Sequence, residues 1–461
     1  MHLALQGSRI LVLGLGETGW SMTRWLAGKG ARVRAADSRD NPPHAARVRD
    51  ELPQVEVRIG AFDAQTFEGV DAIAISPGID RREPLIAAAV GRGMPVVGDV
   101  ELFAQSMSAR CAPAGRPAVL AITGSNGKST VTAMAGEICA AVGRRTVVAG
   151  NIGLPVLDAW SEVEAGAPLP EVFVLELSSF QLESTQSLEP AAATMLNLSE
   201  DHMDRYAGMA DYAGAKARIF AGHGVQVLNR DDAWSMGMRQ PQRACTTFGL
   251  DAPPRDADWG VRNGDVLARG DEALMRVDEL PVAGMHNAAN ALAALALTDA
   301  IRVPRDAALQ ALRAFRGLPH RVEHVADIRG IAFYDDSKGT NVGSTVAALQ
   351  GMRRPAVLIA GGDGKGQDFA PLAPAVAARA RAVVLIGRDA PLLRRAIADC
   401  GVPLLEARDM EGAVETAYRV ARSGDVVLLS PACASYDMFR NYGHRAEVFV
   451  AAVRALAQRE G

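Results

Sequence analysis

The chain has 461 residues, 49% of them hydrophobic and 22% charged, and a net charge of −4. That length exceeds a single core and, at about 150 residues per domain, predicts three units of an ordinary globular protein. The slight acidity excludes the electrostatic footprint of a nucleic-acid or anionic-membrane binder, and no uninterrupted run of about 18 apolar residues offers a membrane span.

Taken in chain order, "RILVLG", "RVRAAD" and "DAIAISPG" are β-branched, apolar runs, each followed by a helical pattern. "AVLAITG", "EVFVLELSS", "AVLIAGG", "AVVLIG" and "DVVLLS" repeat the theme further on. Strands alternating with Ala/Leu-rich helices predict an α/β protein with mostly parallel sheets. Breaks at "SMSARCAPAGRP" and "RGLPHRVEH" divide it into 1–110, 111–318 and 319–461. The first and third units read as Rossmann-like and the central one as P-loop ATPase-like. Between about 245 and 284, "WGVRNGDVLARGDEALMRV" carries an Asn-Gly turn and predicts a small antiparallel appendage on the central unit. The N-terminus shows no targeting signal, and five cysteines (111, 139, 245, 400, 433) lie without a C-x-x-C pair. Both point to a reduced, cytoplasmic setting.

Chemistry concentrates in the loops. "VLGLGETG" matches G-x-G-x-x-G, with Asp37 ending the next strand. Alone, that match suggests a dinucleotide site, although the same geometry holds other diphosphates. "AITGSNGKST" follows a strand and opens a helix. Gly124, Ser125, Asn126 and Gly127 can turn backbone N–H groups toward a phosphate, Lys128 can reach the β- and γ-phosphates, and the Ser129 hydroxyl, followed by Thr130, can ligate Mg²⁺. Ile122 stands where the usual P-loop pattern has a glycine, which shortens the loop from its N-terminal side. Glu176 is a carboxylate in an apolar strand, costly unless paired or metal-bound. "EDHMDRY" sets His202 among acids in a loop. In "HNAAN", Asn287 and Asn290 share one helix face and could read an adenine edge or phosphate, with helix capping by Asn287 the plain alternative. "PHR", "YDDSKGTN", "GGDGKGQDF" and "SPACASYDMFRNY" supply His320, Arg321, Asp336, Lys338, Thr340, Lys365, Ser435 and Tyr442. Cys433 has no base beside it and reads as packing.

Lysine itself is informative. Of 49 basic residues only five are lysine: 29, 128, 216, 338 and 365. Where either cation would serve, this chain uses arginine, so lysine marks positions needing a compact charge or a modifiable amine. Lys29, in a helix end, reads as chance; the other four fall inside distinctive motifs.

With these motifs in this order, the sequence resembles the Mur ligases, ATP-dependent amide-forming enzymes of peptidoglycan precursor synthesis, over nearly its full length. The G-x-x-G-K-[ST] loop is shared across that family and with folate-tail ligases. "SSFQLE", "EDHMDRY" and "SPACAS" are similar to its D-glutamate-adding members. The resemblance implies ATP, two Mg²⁺ ions, UDP-N-acetylmuramoyl-L-alanine and D-glutamate as ligands of a monomer that binds neither membrane nor nucleic acid. It implies UDP-substrate contacts at Thr18, Asp37, Arg39 and Gly78, with Asn151 and His202 at the muramoyl-alanine end. Position 17 is an acid, Glu17, which puts a side-chain contact there in question. ATP is expected at residues 124–130, Asn287, Asn290, Arg321 and Asp336. Metal is expected at Ser129, Glu176, His202 and Lys216, with Lys216 carbamylated by CO₂. D-Glutamate is expected at Lys338, Thr340, Lys365, Ser435 and the backbone of Tyr442. Lys128, His202, Lys216 and Lys338 are the expected catalytic residues. The rivals are a ligase for another amino acid or a folate tail, an NAD-dependent oxidoreductase, and a non-catalytic nucleotide-binding regulator.

Overall fold

The computed structural model describes residues 3–112, 115–282, 284–352 and 354–460. They form three sheets. The first, all parallel, has strands β1 (Arg9–Leu13), β2 (Arg32–Asp37), β3 (Glu56–Ile59), β4 (Ala72–Ile75) and β5 (Val96–Val97) in the order β3-β2-β1-β4-β5. The run of β4 is buried throughout, as a strand covered by helices on both faces requires.

The second sheet contains β6 (Ala118–Thr123), β7 (Thr146–Gly150), β8 (Val172–Glu176), β9 (Ala192–Met195), β10 (Val225–Asn229), β11 (Cys245–Phe248), β12 (Trp259–Arg262), β13 (Val266–Arg269) and β14 (Glu272–Arg276). Its order is β14-β13-β12-β11-β10-β9-β6-β8-β7. The antiparallel appendage is present at the edge of the central sheet and differs from the expectation in one way: β11 runs parallel to β10 and β12, so antiparallel pairing starts only at β12. Its turn is the expected one, with Asn263 and Gly264 both at positive φ (54° and 77°).

The third sheet has β15 (Glu323–Ile328), β16 (Ile331–Asp335), β17 (Ala356–Gly361), β18 (Ala380–Ile386), β19 (Leu404–Glu406) and β20 (Val426–Leu429), ordered β15-β16-β20-β17-β18-β19. It is parallel except for β15, an antiparallel edge that the sequence reading did not separate from its boundary segment.

The two junctions between sheets differ in kind. The first and second units share a hydrophobic core, in which Phe103 of the helix Asp99–Arg110 meets Phe173 of β8 at 4.9 Å between ring centroids. Lys29 belongs to this junction: its Nζ lies 2.7 Å from Glu164 Oε1, so the lysine read as chance is an inter-unit ion pair. Between the second and third units, no hydrophobic cluster of described residues crosses, although Gly284 and Gly351 approach each other closely there.

Candidate active site

Ligand-binding crevices of open α/β sheets lie at the carboxyl ends of their strands, and all three sheets turn such ends inward. In the first unit, the helix Glu17–Gly28 packs so tightly on the Gly-rich turn that a Cβ on Gly19 would sit 1.7 Å from Gly14 O. The resulting cavity of about 460 Å³ is lined by Thr18, Asp37, Arg39, Gly78 and Asn151 among others. Asp37 is committed internally. It accepts from Leu15 N (2.6 Å) and from the Arg39 guanidinium, whose Nη2 lies 2.7 Å away. Burial alone would raise its pKa, but these bonds outweigh burial and hold the carboxyl below the usual range. Asp37 therefore fixes the turn and aims Arg39. Glu17 is largely exposed, with Oε1 2.9 Å from His44 Nε2.

In the central unit, β6 runs through Thr123 and the helix Lys128–Ala141 begins five residues later. Ile122, in the place of the missing glycine, is buried in β6 between Glu176 and Thr194, so the turn is residues 124–127 alone. Gly127 takes the left-handed conformation (φ 84°), and a Cβ there would meet Asn290 Oδ1 at 2.6 Å. The loop thus lies directly against the helix Met285–Ala300. On that helix, Asn290 Nδ2 donates to Asn287 Oδ1 (3.1 Å). Gly284, not Asn287, caps the helix, which sets aside the capping alternative. Asn287, Asn290, Asn126, Gly127, Thr130, Arg321 and Asp336 line a cavity of about 630 Å³. Asp336 accepts from Ser430 Oγ (2.7 Å), and burial raises its pKa to about 7.

A middle cavity of about 470 Å³ adjoins both of these. It shares Asn126, Gly127, Arg321 and Lys338 with the second and Asn151 with the first. Four of the five lysines, 128, 216, 338 and 365, line it. Lys128 Nζ is folded onto its own loop, donating to Gly124 O (2.8 Å) and Ser125 O (3.0 Å). Lys216, 1% exposed, donates to Gly124 O (2.9 Å) and lies 4.7 Å from the Tyr212 ring centroid. Burial, and then the neighbouring Lys128, push its ammonium well below the usual lysine range. Glu176 Oε1 accepts from Asn151 Nδ2 (2.8 Å), while the buried Oε2 has no hydrogen-bond partner among the described residues. An orphaned buried carboxylate oxygen close to the phosphate loop fits a cation ligand. His202, at positive φ (57°), packs edge-on against Phe180, and burial lowers its pKa to about 4. It is neutral at physiological pH, the form that can coordinate a metal.

The third unit closes this cavity with Lys338, Thr340, Lys365, Ser435 and Tyr442. Lys338 Nζ lies 3.8 Å from the Tyr442 ring centroid, and burial, then Arg321, lower its pKa to about 8. Polar contacts cross from the second unit, among them Arg321 Nη2 to Ser129 Oγ (2.6 Å), Asn341 Nδ2 to Asn126 Oδ1 (3.1 Å) and Asp201 Oδ2 (3.5 Å), Lys365 Nζ to Asp201 Oδ1 (2.8 Å) and Asp368 N to Glu200 Oε2 (3.0 Å). Cys433 is fully buried, and burial pushes its thiol up, as a packing residue requires.

Two participants escaped the sequence reading. Asp201 lay among the acids of "EDHMDRY" with nothing to separate it from its neighbours. Buried Arg445 donates to Ser337 O (2.7 Å) and Cys433 O (3.0 Å), tying together the loops that present Lys338 and Ser435. Its partners stand 108 and 12 residues away, beyond any local signal.

Comparison with known proteins agrees with this architecture. Family profiles for the Mur ligase MurD-like N-terminal domain, the Mur ligase middle domain and the Mur ligase glutamate ligase domain match residues 8–98, 122–298 and 320–433. The chain is 60% identical to the UDP-N-acetylmuramoylalanine–D-glutamate ligase of Thiobacillus denitrificans, covering 99% of this chain and 98% of that one. It is 58% identical to the enzyme of the same name from Methylobacillus flagellatus, covering 99% of each. Among solved structures, a pseudomurein peptide ligase type C from Methanothermus fervidus superposes with a TM-score of 0.60 at 18% identity, over 98% of this chain and 100% of that one. The UDP-N-acetylmuramate–alanine ligase of Thermotoga maritima does so with 0.59, also at 18%, over 97% and 99%, and these two likenesses establish the fold. The chain belongs to the Mur ligase family, in its MurD-like branch.

Proposed function

We propose that the chain joins D-glutamate to UDP-N-acetylmuramoyl-L-alanine at the expense of ATP, a step of peptidoglycan precursor synthesis. The observation that carries this reading is the middle cavity, where four lysines meet between a phosphate loop and the first unit's crevice. The nucleotide sugar and the amino acid are those in the names of its relatives.

In this reading, residues 124–130 hold the ATP phosphates, Asn287 and Asn290 face the base, and Arg321 and Asp336 complete the nucleotide site. Thr18, Arg39 and Gly78 receive the UDP end, with Asp37 positioning Arg39. Asn151 and His202 meet the muramoyl-alanine end. Lys338, Thr340, Lys365, Ser435 and the Tyr442 backbone receive D-glutamate. The orphaned Glu176 Oε2 and Ser129 Oγ suit one Mg²⁺; neutral His202 and Lys216 suit a second once CO₂ has converted the amine to a carbamate. Bound there, the ions supply charge neutralisation for phosphoryl transfer.

The alanyl carboxylate attacks the γ-phosphorus, ADP leaves, and the resulting acyl phosphate is attacked by the D-glutamate amine with loss of phosphate. For Lys128 to follow the phosphates it must leave Gly124 O and Ser125 O, and Arg321 must release Ser129 Oγ. All three cavities are lined within one chain, so the proposed reaction needs no residue from a second copy.

The test is the product. Incubation with ATP, UDP-N-acetylmuramoyl-L-alanine and D-glutamate yields, by mass spectrometry, the amide of the two; its absence, with substrates recovered intact, contradicts the proposal. Lys216→Arg keeps a cation but cannot form the carbamate. It retains ATP binding and loses product formation by about 10²-fold or more. A variant with most of its activity would sink the carbamate.

A further inference from the structure

The ion pair between Lys365 Nζ and Asp201 Oδ1 joins two groups in the middle cavity that an amino acid could separate. An amino acid is a zwitterion: its carboxylate needs a cation and its ammonium needs an anion. Cations abound here, since Lys128, Arg321, Lys338 and Lys365 all line the cavity. Anions are few. Among the described lining residues the only carboxylates are Glu176 and Asp201, and Glu176 faces Asn151 at the phosphate-loop side.

We propose, resting on the reading of an amino-acid acceptor given above, that the acceptor binds by inserting into the Lys365–Asp201 pair, and that Asp201 receives its ammonium group.

Geometry favours the exchange. Asp201 has holds besides Lys365, with Oδ1 accepting from His202 N of its own segment (3.0 Å) and Oδ2 within 3.5 Å of Asn341 Nδ2 of the third unit, so it stays in place when Lys365 leaves. Lys365 extends from a loop residue at positive φ (52°) on a long, rotatable side chain. The exchange also balances charge. The ligand's carboxylate replaces Asp201 on Lys365, and the ligand's ammonium replaces Lys365 on Asp201. No mostly buried ion is left unpaired, which is the costly outcome. Glutarate has the same carbon chain and both carboxylates but no amine. It can take Lys365 only by stranding Asp201, whose side chain is 12% exposed.

Wild-type chain and Asp201→Asn are compared with two ligands: the KM for D-glutamate and the inhibition constant for glutarate. Asparagine keeps the shape and the bond from His202 N but loses the charge. In the wild type, glutarate binds at least about tenfold more weakly than D-glutamate. In Asp201→Asn the KM for D-glutamate rises about tenfold or more, while glutarate inhibits as well as before or better. A structural role moves both constants together, and that result overturns the proposal. The wild-type comparison stands even if the variant fails to fold: equal affinity for glutarate and D-glutamate overturns it too. The two levels of failure differ in appearance. A wild-type chain whose turnover ignores D-glutamate overturns the reading of the reaction along with this one. D-Glutamate turnover with parallel shifts overturns this one alone.

Discussion

Single residues of the site hold their charges in unusual states. Lys338 is the clearest, because burial and Arg321 bring its pKa to about 8. A dicarboxylate is attracted by the protonated form, which predominates below that value and is lost above it. The inhibition constant of glutarate, which has no amine of its own to titrate and is fully ionised above about pH 6, is therefore expected to stay flat from about pH 6 to 8 and to rise toward tenfold per unit above that. Lys338→Arg, protonated throughout, should remain flat; a wild-type curve without a break near pH 8 would remove Lys338 from the acceptor site. Much of this site was legible in the sequence. A chain so poor in lysine exposes the positions where arginine does not serve, and four of five meet in one cavity. What was illegible depends on tertiary pairing: Asp201 acquires its meaning only when Lys365, 164 residues away, lies against it. Asp37, expected to contact the UDP end, lines the first unit's cavity and also accepts from Leu15 N and Arg39, pairings that the sequence alone does not show.

Among elements, the parallel strands were readable because burial on both faces demands continuous apolar runs, as in β4 and β17. The edge strand β15, only partly buried, carries no such run, and β11 hid its parallel pairing because a short strand does not encode its partner's direction. The helix Asp99–Arg110 shows what joins the first two units. Its first residue, Asp99, is 1% exposed, has an unpartnered Oδ1, and accepts at Oδ2 from Gln181 Nε2 (3.3 Å). Burial raises its pKa to about 6 from 3.8, so its contribution to stability is fully present below about pH 4 and is lost as pH rises through 6. Asp99→Asn removes that loss. Its melting temperature should exceed the wild type's by roughly 2–4 °C at pH 8, with the gain shrinking toward pH 4. An equal shift at both values, measured by scanning calorimetry, would mean that charge is not the cause.

Across the whole molecule, the contrast between junctions has a functional consequence. The first and second units share a hydrophobic core, whereas no hydrophobic cluster of described residues joins the third to the second, and two of the pairs that cross, Arg321–Ser129 and Lys365–Asp201, involve groups proposed to bind ligands. In the proposed reaction binding exchanges these two pairs for ligand contacts, which makes the third unit the part expected to close over the site. A chain ending at residue 318 is therefore expected to fold and to bind UDP-N-acetylmuramoyl-L-alanine by calorimetry within about tenfold of the full chain, while releasing no phosphate. Loss of that binding would show that the third unit builds the nucleotide-sugar site as well. The central claim meets its most direct test in phosphate release from ATP by the full chain with UDP-N-acetylmuramoyl-L-alanine, run with D-glutamate, with L-glutamate and with no amino acid. The account predicts release with the D isomer and little with the other two. Equal release in all three, or release only with a different amino acid, would contradict it.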